Sequence, residues 1–182
     1  MPRTVYYVAS SLDGFIADEQ DKLEWLFQFN DADGVEDSYK EFMAGIGALV
    51  MGSETYKFIL DSGGADAWEY GDTPAWVYTH HELPGIPGAD ITFVRGDISL
   101  FHQNVAADAG DRDVWVIGGG EVAAQYLDAG LLDELIVTFV PVVLGRGKRL
   151  LPVTTTTAPA ELTGSRTLGA GMVELRYRFG KE

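Results

Sequence analysis

The sequence predicts an α/β protein whose sheet is mainly parallel and ends in an antiparallel C-terminal hairpin. Apolar, strand-like runs alternate with helical patterns along most of the 182 residues. Glycines follow several of these runs, as expected where a buried strand turns into a helix. Two runs, over 162–167 and 172–179, close the sequence and are typical of a hairpin, and the second alternates between apolar and polar residues. We expect one domain over 1–182, with about eight strands and four helices.

The N-terminal half begins with a β-branched and aromatic run that stops before the turn pair Asp13-Gly14. Asp33 can cap the first helix, whose apolar positions follow helical spacing. The polar and acidic stretch before it, with scattered aromatics, predicts a long loop, and long loops in compact domains are usually functional. The predicted elements are a strand over 4–10, a loop over 15–33, a helix over 35–44, a strand over 48–51 and a helix from about Ser53.

The C-terminal half continues the alternation. Pro141 falls inside the longest predicted strand, which indicates a sheet edge or a bulge there. The predicted elements are strands over 75–79 and 91–94, a helix over 98–107, a strand over 114–117, a helix over 121–127, a strand over 135–143 and the hairpin.

Composition excludes several classes of function. With 13 basic against 28 acidic residues the net charge is −15, which argues against binding nucleic acid through a broad basic surface. The absence of cysteine excludes disulfides, iron–sulfur clusters and thiolate zinc sites. The histidines are His80, His81 and His102, and an adjacent pair in extended chain points to opposite faces, so we expect no metal site. No run approaches the ~18 apolar residues of a membrane span, and we expect a cytoplasmic protein without membrane contact.

The strongest local signal is the glycine triplet Gly118-Gly119-Gly120, between an apolar strand and a helix. Residues without Cβ let a ligand approach the main chain, and the N–H groups and dipole of a helix start favour an anion. The alternative is a tight strand–helix turn without a ligand, since the triplet lacks the G-x-G-x-x-G spacing of dinucleotide folds.

Two further strand ends offer similar chemistry. Gly52 is followed by hydroxyls at Ser53 and Thr55, and another predicted strand ends at Thr79-His80. Because ligands of open α/β sheets lie beyond the carboxyl ends of the strands, the three ends together predict a nucleotide crevice. No G-x-S-x-G elbow supports a serine hydrolase.

Four motifs occur in an order that is typical of one family. They are residues 11–17, residues 49–52 with Thr55-Tyr56, residues 116–120, and residues 129–135 continuing through 140–147. The sequence resembles the dihydrofolate-reductase-like family, and within it the reductase domain of riboflavin biosynthesis and stand-alone dihydrofolate reductase family proteins. The motifs span nearly the whole chain.

The resemblance implies an NADPH-dependent reductase, in which the cofactor carries the chemistry and the protein orients donor and acceptor. Loop 14–33, held by Trp25, is then the natural lid. The implied cofactor contacts are Gly118, Gly119, Gly120, Glu121 and Val122 at the pyrophosphate, Gly52, Ser53 and Thr55 along the phosphates and adenosine ribose, Ala9 and Ile16 at the nicotinamide, and Thr79 and His80 at the adenine.

Cofactor preference stays open between NADPH and NADH. Family members often carry basic residues after the Met-Gly pair and after the third strand, which pair with the 2′-phosphate of NADPH. Here those positions read Ser53-Glu54 and His80-His81. Because an inward carboxylate at Glu54 would repel that phosphate, weakened discrimination is predicted.

The resemblance also names candidates around a small-molecule substrate. Dihydrofolate reductases place a carboxylate on the first helix, which here is nearest to Glu36 or Asp37, although our helical face leaves both solvated; Asp13 is a third candidate carboxylate. The riboflavin-type reductase acts on a pyrimidine bearing ribose phosphate, whose phosphate needs cations. Arg146, Lys148 and Arg149 can supply them, and Trp25 is the candidate aromatic contact.

The best-named activity is therefore 5-amino-6-(5-phosphoribosylamino)uracil reductase. The alternatives are a non-catalytic nucleotide-binding protein that keeps the fold, and dihydrofolate reduction proper. The family further implies a cis peptide bond between Gly118 and Gly119. It also implies a homodimer, to which the strand over 135–143 could contribute.

Overall fold

The computed structural model describes residues 1–180 and contains a central sheet with helices on both faces. Helices α1 to α5 span Glu24–Phe27, Val35–Ala44, Ser53–Asp61, Ile98–Ala109 and Gly120–Asp128, and Gly64–Asp66 forms one 3-10 turn. Strands β1 to β10 span Thr4–Ser11, Phe15–Ala17, Ile46–Gly52, Ala75–Tyr78, Ile91–Val94, Asp113–Gly118, Glu134–Val140, Lys148–Arg149, Glu161–Thr167 and Val173–Arg178.

Eight strands form the main sheet in the order β5-β4-β3-β6-β1-β7-β10-β9, and β2 pairs with β8 separately. The pairs from β5 to β7 are parallel, whereas β10 is antiparallel to both β7 and β9. The predicted α/β architecture with its C-terminal hairpin is thereby confirmed.

The core lies on both faces of this sheet because alternate strand residues point to opposite sides. Tyr6, Val116 and Val137 pack on the face covered by α4 and α5. Tyr7, Leu49 and Trp115 pack on the face covered by α2 and α3. Each helix therefore buries one apolar face against a sheet that is covered twice.

The segment over 15–33 is more regular than predicted: it contains the short strand β2 and the one-turn helix α1. β2 is held in place by its pairing with β8. α1 is held in place by Leu26 and Phe29, which pack against Val140, Leu168 and Met172. Elements this short carry no periodicity of their own, so the prediction of one long loop was wrong.

Two local predictions are corrected by backbone geometry. Helix α2 spans Val35–Ala44 as expected, but its N-cap is Gly34, with φ of 85°, and not Asp33. β7 ends at Val140, so Pro141 lies directly after the strand and not within it. The strand also lies between β1 and β10, and within it Leu135, Ile136 and Val137 are buried in this chain.

None of the helices in residues 1–180 combines the length and the apolar character needed to cross a membrane.

Candidate functional site

Two glycine turns meet at the carboxyl edge of the sheet. Gly52 ends β3, Gly118 ends β6, and the two strands are parallel neighbours. A Cβ built on Gly52 would lie 3.0 Å from Cγ2 of Val122 and 3.8 Å from the main-chain nitrogen of Gly119. A Cβ built on Gly118, whose φ is +152°, would lie 3.3 Å from Oγ1 of Thr55. The structure therefore brings together the first two predicted strand ends.

The turn at Gly118 and Gly119 leaves room for a ligand. A Cβ on Gly119 would have no atom within 4 Å, and Gly119 is the N-cap of α5. The first N–H groups of a helix have no partner inside the helix, and its dipole favours an anion there. The peptide bond between Gly118 and Gly119 is cis, as the resemblance implies. We refer to Gly52, Thr55, Gly118 and Gly119 as the glycine cradle.

Gly120, the third glycine of the triplet, allows a close approach between two parts of the main chain. A Cβ on Gly120 would overlap the carbonyl oxygen of Arg149 and would lie 2.9 Å from that of Leu150. The Tyr6 hydroxyl donates to the same Leu150 oxygen over 3.2 Å. The lack of a side chain at Gly120 thus admits the chain after β8, and the position does not open toward a ligand. Of the two remaining predicted contacts at this turn, Glu121 is exposed and Val122 is buried against Gly52.

The third predicted strand end follows β4, which is parallel to β3. The Thr79 hydroxyl accepts a hydrogen bond of 2.9 Å from the main-chain nitrogen of His81. His80 is exposed, and Arg95 donates from Nε to its Nδ1 and from Nη2 to its carbonyl oxygen, each over 3.1 Å. Arg95 directly follows β5, so this pairing places a cation at the predicted adenine end.

Arg95 was not among the predicted residues because the family pattern places its basic residues after the Met-Gly pair and after the third strand, and Arg95 follows the next strand. The available signal was a basic residue at the end of the next strand, which lies on the same edge because β5 is parallel to β4. Ser53 is half-buried, and Glu54 is 63% exposed and paired with Lys57 at 3.1 Å. The Glu54 carboxylate is therefore partly neutralised where a 2′-phosphate is expected.

A cavity of about 460 Å³ lies between β1, α1 and α2. Ala9 of β1 lines it, whereas Ile16 of β2 is half-buried and is not among its lining residues. The apolar lining includes Leu26 and Phe29 from the segment predicted to be a lid. The polar side chains that line the cavity are Tyr7, Asn30, Asp31, Glu36, Ser38, Tyr39, Glu69 and Thr138.

A network of hydrogen bonds and ion pairs around the buried Glu174 lies next to this cavity. The Glu174 side chain is 1% exposed, and it accepts from Ser38 Oγ at 2.6 Å and from Arg166 Nε at 3.0 Å. Arg176 donates twice to the same carboxylate, over 3.2 Å each time. Ser38 also accepts 2.6 Å from Arg166 Nη2 and lies 3.3 Å from the Tyr7 hydroxyl. The network therefore joins the cavity wall to the hairpin.

Glu174 was not predicted as a site residue. In β10 apolar and polar residues alternate, and this pattern assigns Glu174 and Arg176 to the solvent-facing side of the strand. That face is covered by α2 and flanked by β9, which supply Ser38 and Arg166. A sequence alone does not show which strand will lie beside β10. The only signal was the pattern of one acidic residue opposite nearby basic residues.

The candidate carboxylates occupy three different environments. Glu36 lines the cavity, but its side chain is 76% exposed and pairs with Lys40 at 2.6 Å, a hydrogen bond that lowers the pKa of Glu36. Asp37 is exposed and is not among the lining residues. Both lie on the solvent side of α2, as the helical pattern predicts.

Asp13 joins β1 to the chain after β7. Its carboxylate accepts from Ser11 Oγ at 2.6 Å and from the main-chain nitrogens of Leu144 and Gly145 at 3.1 and 2.7 Å. These bonds, led by the Ser11 hydroxyl, lower the pKa of Asp13. The carboxylate thus holds a turn together, and a catalytic role for Asp13 stays a prediction.

The structure does not bring the predicted substrate-binding residues to the cavity. Trp25 is half-buried on α1, and its indole nitrogen donates to the Lys22 carbonyl over 3.3 Å. Arg146 is exposed, and Lys148 lies in β8 with Nζ 3.8 Å from the Asp21 carboxylate. None of the three is among the residues that line the cavity. For Lys148 the reason is that β8 pairs with β2.

The chain is similar to known proteins in sequence. Residues 104–174 match the family model for the RibD C-terminal domain. The chain is 29% identical to the uncharacterized protein YwjB of Bacillus subtilis (strain 168) over 179 residues, which cover 96% of this chain and 97% of YwjB.

Solved structures share the fold. A Shewanella sp. PV-4 protein, named for riboflavin biosynthesis, superposes with a TM-score of 0.82 at 24% identity, covering 98% of this chain and 99% of that one. Dihydrofolate reductase from Enterococcus faecalis, complexed with NADP(H), superposes with a TM-score of 0.64 at 17% identity, covering 98% and 96%. The chain therefore has the dihydrofolate-reductase-like fold that the sequence predicts, and its residues 104–174 are similar to the RibD C-terminal domain.

Proposed function

We propose that this chain is an NAD(P)H-dependent reductase of a small heterocyclic substrate. One observation carries the proposal: the glycine cradle closes around an open space at Gly119, at the carboxyl edge of the same sheet whose strand β1 borders a cavity of about 460 Å³. A reductase needs both, one place for the phosphates of a dinucleotide and one for the substrate.

Gly52 and Gly118 let the two strand ends pack closely, since a Cβ on them would lie 3.0 Å from Val122 and 3.3 Å from Thr55. At Gly119 a Cβ would meet no atom within 4 Å, so the main chain there is accessible to a phosphate. When bound, the cofactor supplies a hydride from its nicotinamide. Gly118, Gly119 and the first turn of α5 would hold its pyrophosphate.

The protein's own residues would position the two reactants. Ala9 lines the cavity with a small side chain, so a nicotinamide ring beside it would be able to approach the substrate closely. Leu26 and Phe29 supply an apolar wall on the α1 side, which excludes water from the reacting atoms. The cofactor would supply the hydride and the protein would position the reactants, so the reaction needs no nucleophile from the protein.

The named candidate reaction is that of 5-amino-6-(5-phosphoribosylamino)uracil reductase in riboflavin biosynthesis, which the match to the RibD C-terminal domain supports. Dihydrofolate reduction is a weaker candidate, since the carboxylate on α2 that faces the cavity, Glu36, is exposed and ion-paired. A non-catalytic nucleotide-binding protein is favoured by one feature: Ser38, not a carboxylate, is the buried polar residue of α2.

A substrate panel with NADPH or NADH tests the proposal. Oxidation of the nicotinamide, followed by its near-ultraviolet absorbance, is expected with at least one aminopyrimidine or pteridine. Binding of the nucleotide without turnover on any of them would favour the non-catalytic protein. Failure to bind either nucleotide in a calorimetric titration would overturn both readings of the cradle.

A further inference from the structure

We propose that Tyr7 is the proton donor of the reaction and that Glu174, which acts on it through Ser38, is a positioning residue. The proposal rests on the proposed function and deepens it, because it assigns the group that completes a hydride transfer at the same cavity. It is carried by the supply of protons in the cavity wall, by the packing of the Tyr7 ring and by the charges around its hydroxyl.

Among the described residues that line the cavity, few have a proton to give at neutral pH. The carboxylates of the wall are all exposed, so they are ionised under these conditions. The amide of Asn30 and the aliphatic hydroxyls of Ser38 and Thr138 donate hydrogen bonds but are far weaker acids than a phenol. The phenols of Tyr7 and Tyr39 are therefore the candidate acids.

Tyr39 is the poorer of the two acids because its proton is already committed. Its hydroxyl donates to the Glu69 carboxylate over 2.7 Å. Burial, and next the bond to Glu69, raise the pKa of Tyr39, since loss of the proton would place two negative charges side by side. The Tyr7 hydroxyl instead contacts Ser38 Oγ, over 3.3 Å. Tyr7 is therefore the phenol whose proton can be given to a substrate.

The contacts of Ser38 fix the direction of its bond with Tyr7. Ser38 Oγ gives its one proton to the Glu174 carboxylate over 2.6 Å, and it accepts from Nη2 of Arg166 over 2.6 Å. Tyr7 is therefore the donor in its contact with Ser38. Because 3.3 Å is long for a bond between hydroxyls, the Tyr7 proton can turn toward the cavity at little cost. Glu174 thus positions the Tyr7 hydroxyl by holding the Ser38 proton.

The ring of Tyr7 is held in place by its aromatic neighbours. It stacks on Phe42 with the ring centroids 4.2 Å apart, and it meets Trp115 edge-on with centroids 6.1 Å apart. Tyr7 and Ala9 are two positions apart in β1, so their side chains point to the same face of the sheet, and both line the cavity. A nicotinamide at Ala9, as the family resemblance implies, and the Tyr7 hydroxyl would then flank the same substrate.

The proposed step balances with the NAD(P)H of the proposed function as reductant. A C=O or C=N group of the substrate accepts the hydride at its carbon, and the electron pair of that double bond moves to the oxygen or nitrogen. This atom takes the proton of Tyr7, whose O–H bond breaks and leaves a phenolate. Solvent, which reaches the exposed carboxylates of the cavity wall, then returns a proton to Tyr7 Oη.

The charges around Tyr7 suit a group that is neutral at rest and briefly anionic. Burial is the main reason that the pKa of Tyr7 is raised, so the phenol is protonated at neutral pH. Arg166 and Arg176 both lower this pKa, whereas Glu174 raises it. Two guanidinium groups face the one buried carboxylate, and Glu41, which also pairs with Arg166, is 66% exposed and screened by solvent. The excess positive charge would stabilise the phenolate.

The coupling between Tyr7 and the network is tested without substrate or nucleotide. The pKa of Tyr7 is read by NMR from tyrosine labelled at Cζ, and the spectrum of Tyr7→Phe identifies its signal. We expect Arg176→Gln to raise this pKa and Glu174→Gln to lower it, because the two variants remove charges of opposite sign. Local unpacking would instead move both toward the ordinary value of about 10. Movement of both in one direction, or of neither, overturns the role of Glu174.

Tyr7→Phe tests the proton transfer itself, on a substrate that the panel of the proposed function identifies. We expect kcat to fall at least about a hundredfold, as on loss of a general acid, while the affinity for NADPH, measured by calorimetry, stays the same. Tyr70→Phe is the matched control. Burial also raises the pKa of Tyr70, which packs edge-on against Trp115 and is not among the lining residues, and its loss should leave kcat unchanged.

The outcomes separate this inference from the proposed function. If nicotinamide is oxidised and Tyr7→Phe keeps the kcat of the unchanged protein, the reductase stands and Tyr7 is not its proton donor. If no substrate of the panel is reduced, the proposed function fails and the proton transfer fails with it, whatever the NMR titration shows. If Tyr7→Phe loses turnover and the two network variants shift the pKa of Tyr7 in opposite directions, both parts of the inference stand.

Discussion

The Ser38 hydroxyl donates to the Glu174 carboxylate over 2.6 Å, although the two residues are 136 positions apart in the sequence. This bond joins α2, which forms one wall of the cavity, to β10 in the C-terminal hairpin. Since Arg166 and Arg176 bind the same carboxylate, four residues from three elements meet at one buried charge. The hairpin thereby supports the site without lining its polar wall.

Replacing the buried carboxylate should destabilise the protein. Glu174→Gln keeps the shape but leaves two guanidinium groups without their counter-charge. Breaking a buried ion pair costs about 3–5 kcal/mol, and because both arginines are about one-third exposed we expect about 2–3 kcal/mol. The measurement is the free energy of unfolding in a urea titration.

The control for this variant is Glu161→Gln on β9. Glu161 pairs with Arg178 at 3.7 Å with both side chains largely exposed. Pairs of that kind contribute at most about 1 kcal/mol, and we expect a loss below about 0.5 kcal/mol. Similar losses for the two variants would contradict a special role for the buried network.

A side chain at Gly119 should block nucleotide binding without unfolding the protein. The position has an ordinary φ of −80° and no atom within 4 Å of a built Cβ, so the side chain of Gly119→Leu can leave the main chain without meeting a neighbour. Its side chain would occupy the space proposed for the pyrophosphate. We expect the affinity for NADPH, measured by calorimetry, to fall at least about a hundredfold.

Gly85→Leu is the matched control, because Gly85 also has open space around a built Cβ and lies in the loop between β4 and β5. Its NADPH affinity should equal that of the unchanged protein. Unimpaired binding by Gly119→Leu, with an unchanged melting temperature, would remove the cradle from the proposed function.

Arg95 should contribute to the choice between NADPH and NADH. Its guanidinium, bonded to His80, is the cation that the structure places at the predicted adenine end. Because an exposed charge pair contributes about 1 kcal/mol, Arg95→Gln should weaken NADPH binding roughly fivefold and leave NADH unchanged.

The unchanged protein should prefer NADPH by less than about a hundredfold, since Glu54 opposes the 2′-phosphate and is only partly neutralised by Lys57. Arg112→Gln, which alters an exposed arginine just before β6, serves as the control. An equal loss for both nucleotides on changing Arg95 would show that it does not read the 2′-phosphate.

The turn held by Asp13 should make stability depend on acidity. Its pKa in the folded protein lies below that of the unfolded chain, chiefly because of the Ser11 hydroxyl. The stabilisation is therefore complete above the ordinary carboxyl pKa of about 3.9 and is lost as the pH falls through the lower folded value. The difference in melting temperature between the unchanged protein and Asp13→Asn should shrink from neutral pH toward about pH 3. A constant difference over that range would contradict the role.

Association into a homodimer stays a prediction of the family resemblance. Strand β7 lies inside the sheet, so its contribution would have to come from the exposed chain just after it, where Val143 is 68% exposed. Sedimentation at micromolar concentration is expected to show a species of twice the chain mass of 19.8 kDa. Monomer alone would exclude the homodimer at such concentrations.

The order of the elements was predictable because it depends on neighbours in the chain. The β-branched and aromatic run over residues 4–10, the helical spacing over 35–44 and the glycines at the ends of β3 and β6 are each visible within a few positions. Parallel strands then bring their carboxyl ends to one edge, which predicts that Gly52 and Gly118 meet. The glycine cradle could therefore be located before any coordinates were known.

The cavity could not be predicted in the same way. Its wall depends on which strand packs beside β10 and on which face of that strand α2 covers. Glu174 reads as a solvent-facing residue in its own alternation, and Arg95 reads as an ordinary surface charge. Likewise, the expectation that Arg146 and Lys148 reach the substrate required knowing that β8 pairs with β2.

By itself the sequence determined the α/β order of this protein and the place of its glycine-rich turn, because steric freedom and periodicity are local properties of the chain. Only the tertiary structure decided the polarity of the cavity. That polarity arises from hydrogen bonds between residues far apart in sequence, such as Ser38 and Glu174, which meet only when the chain has folded.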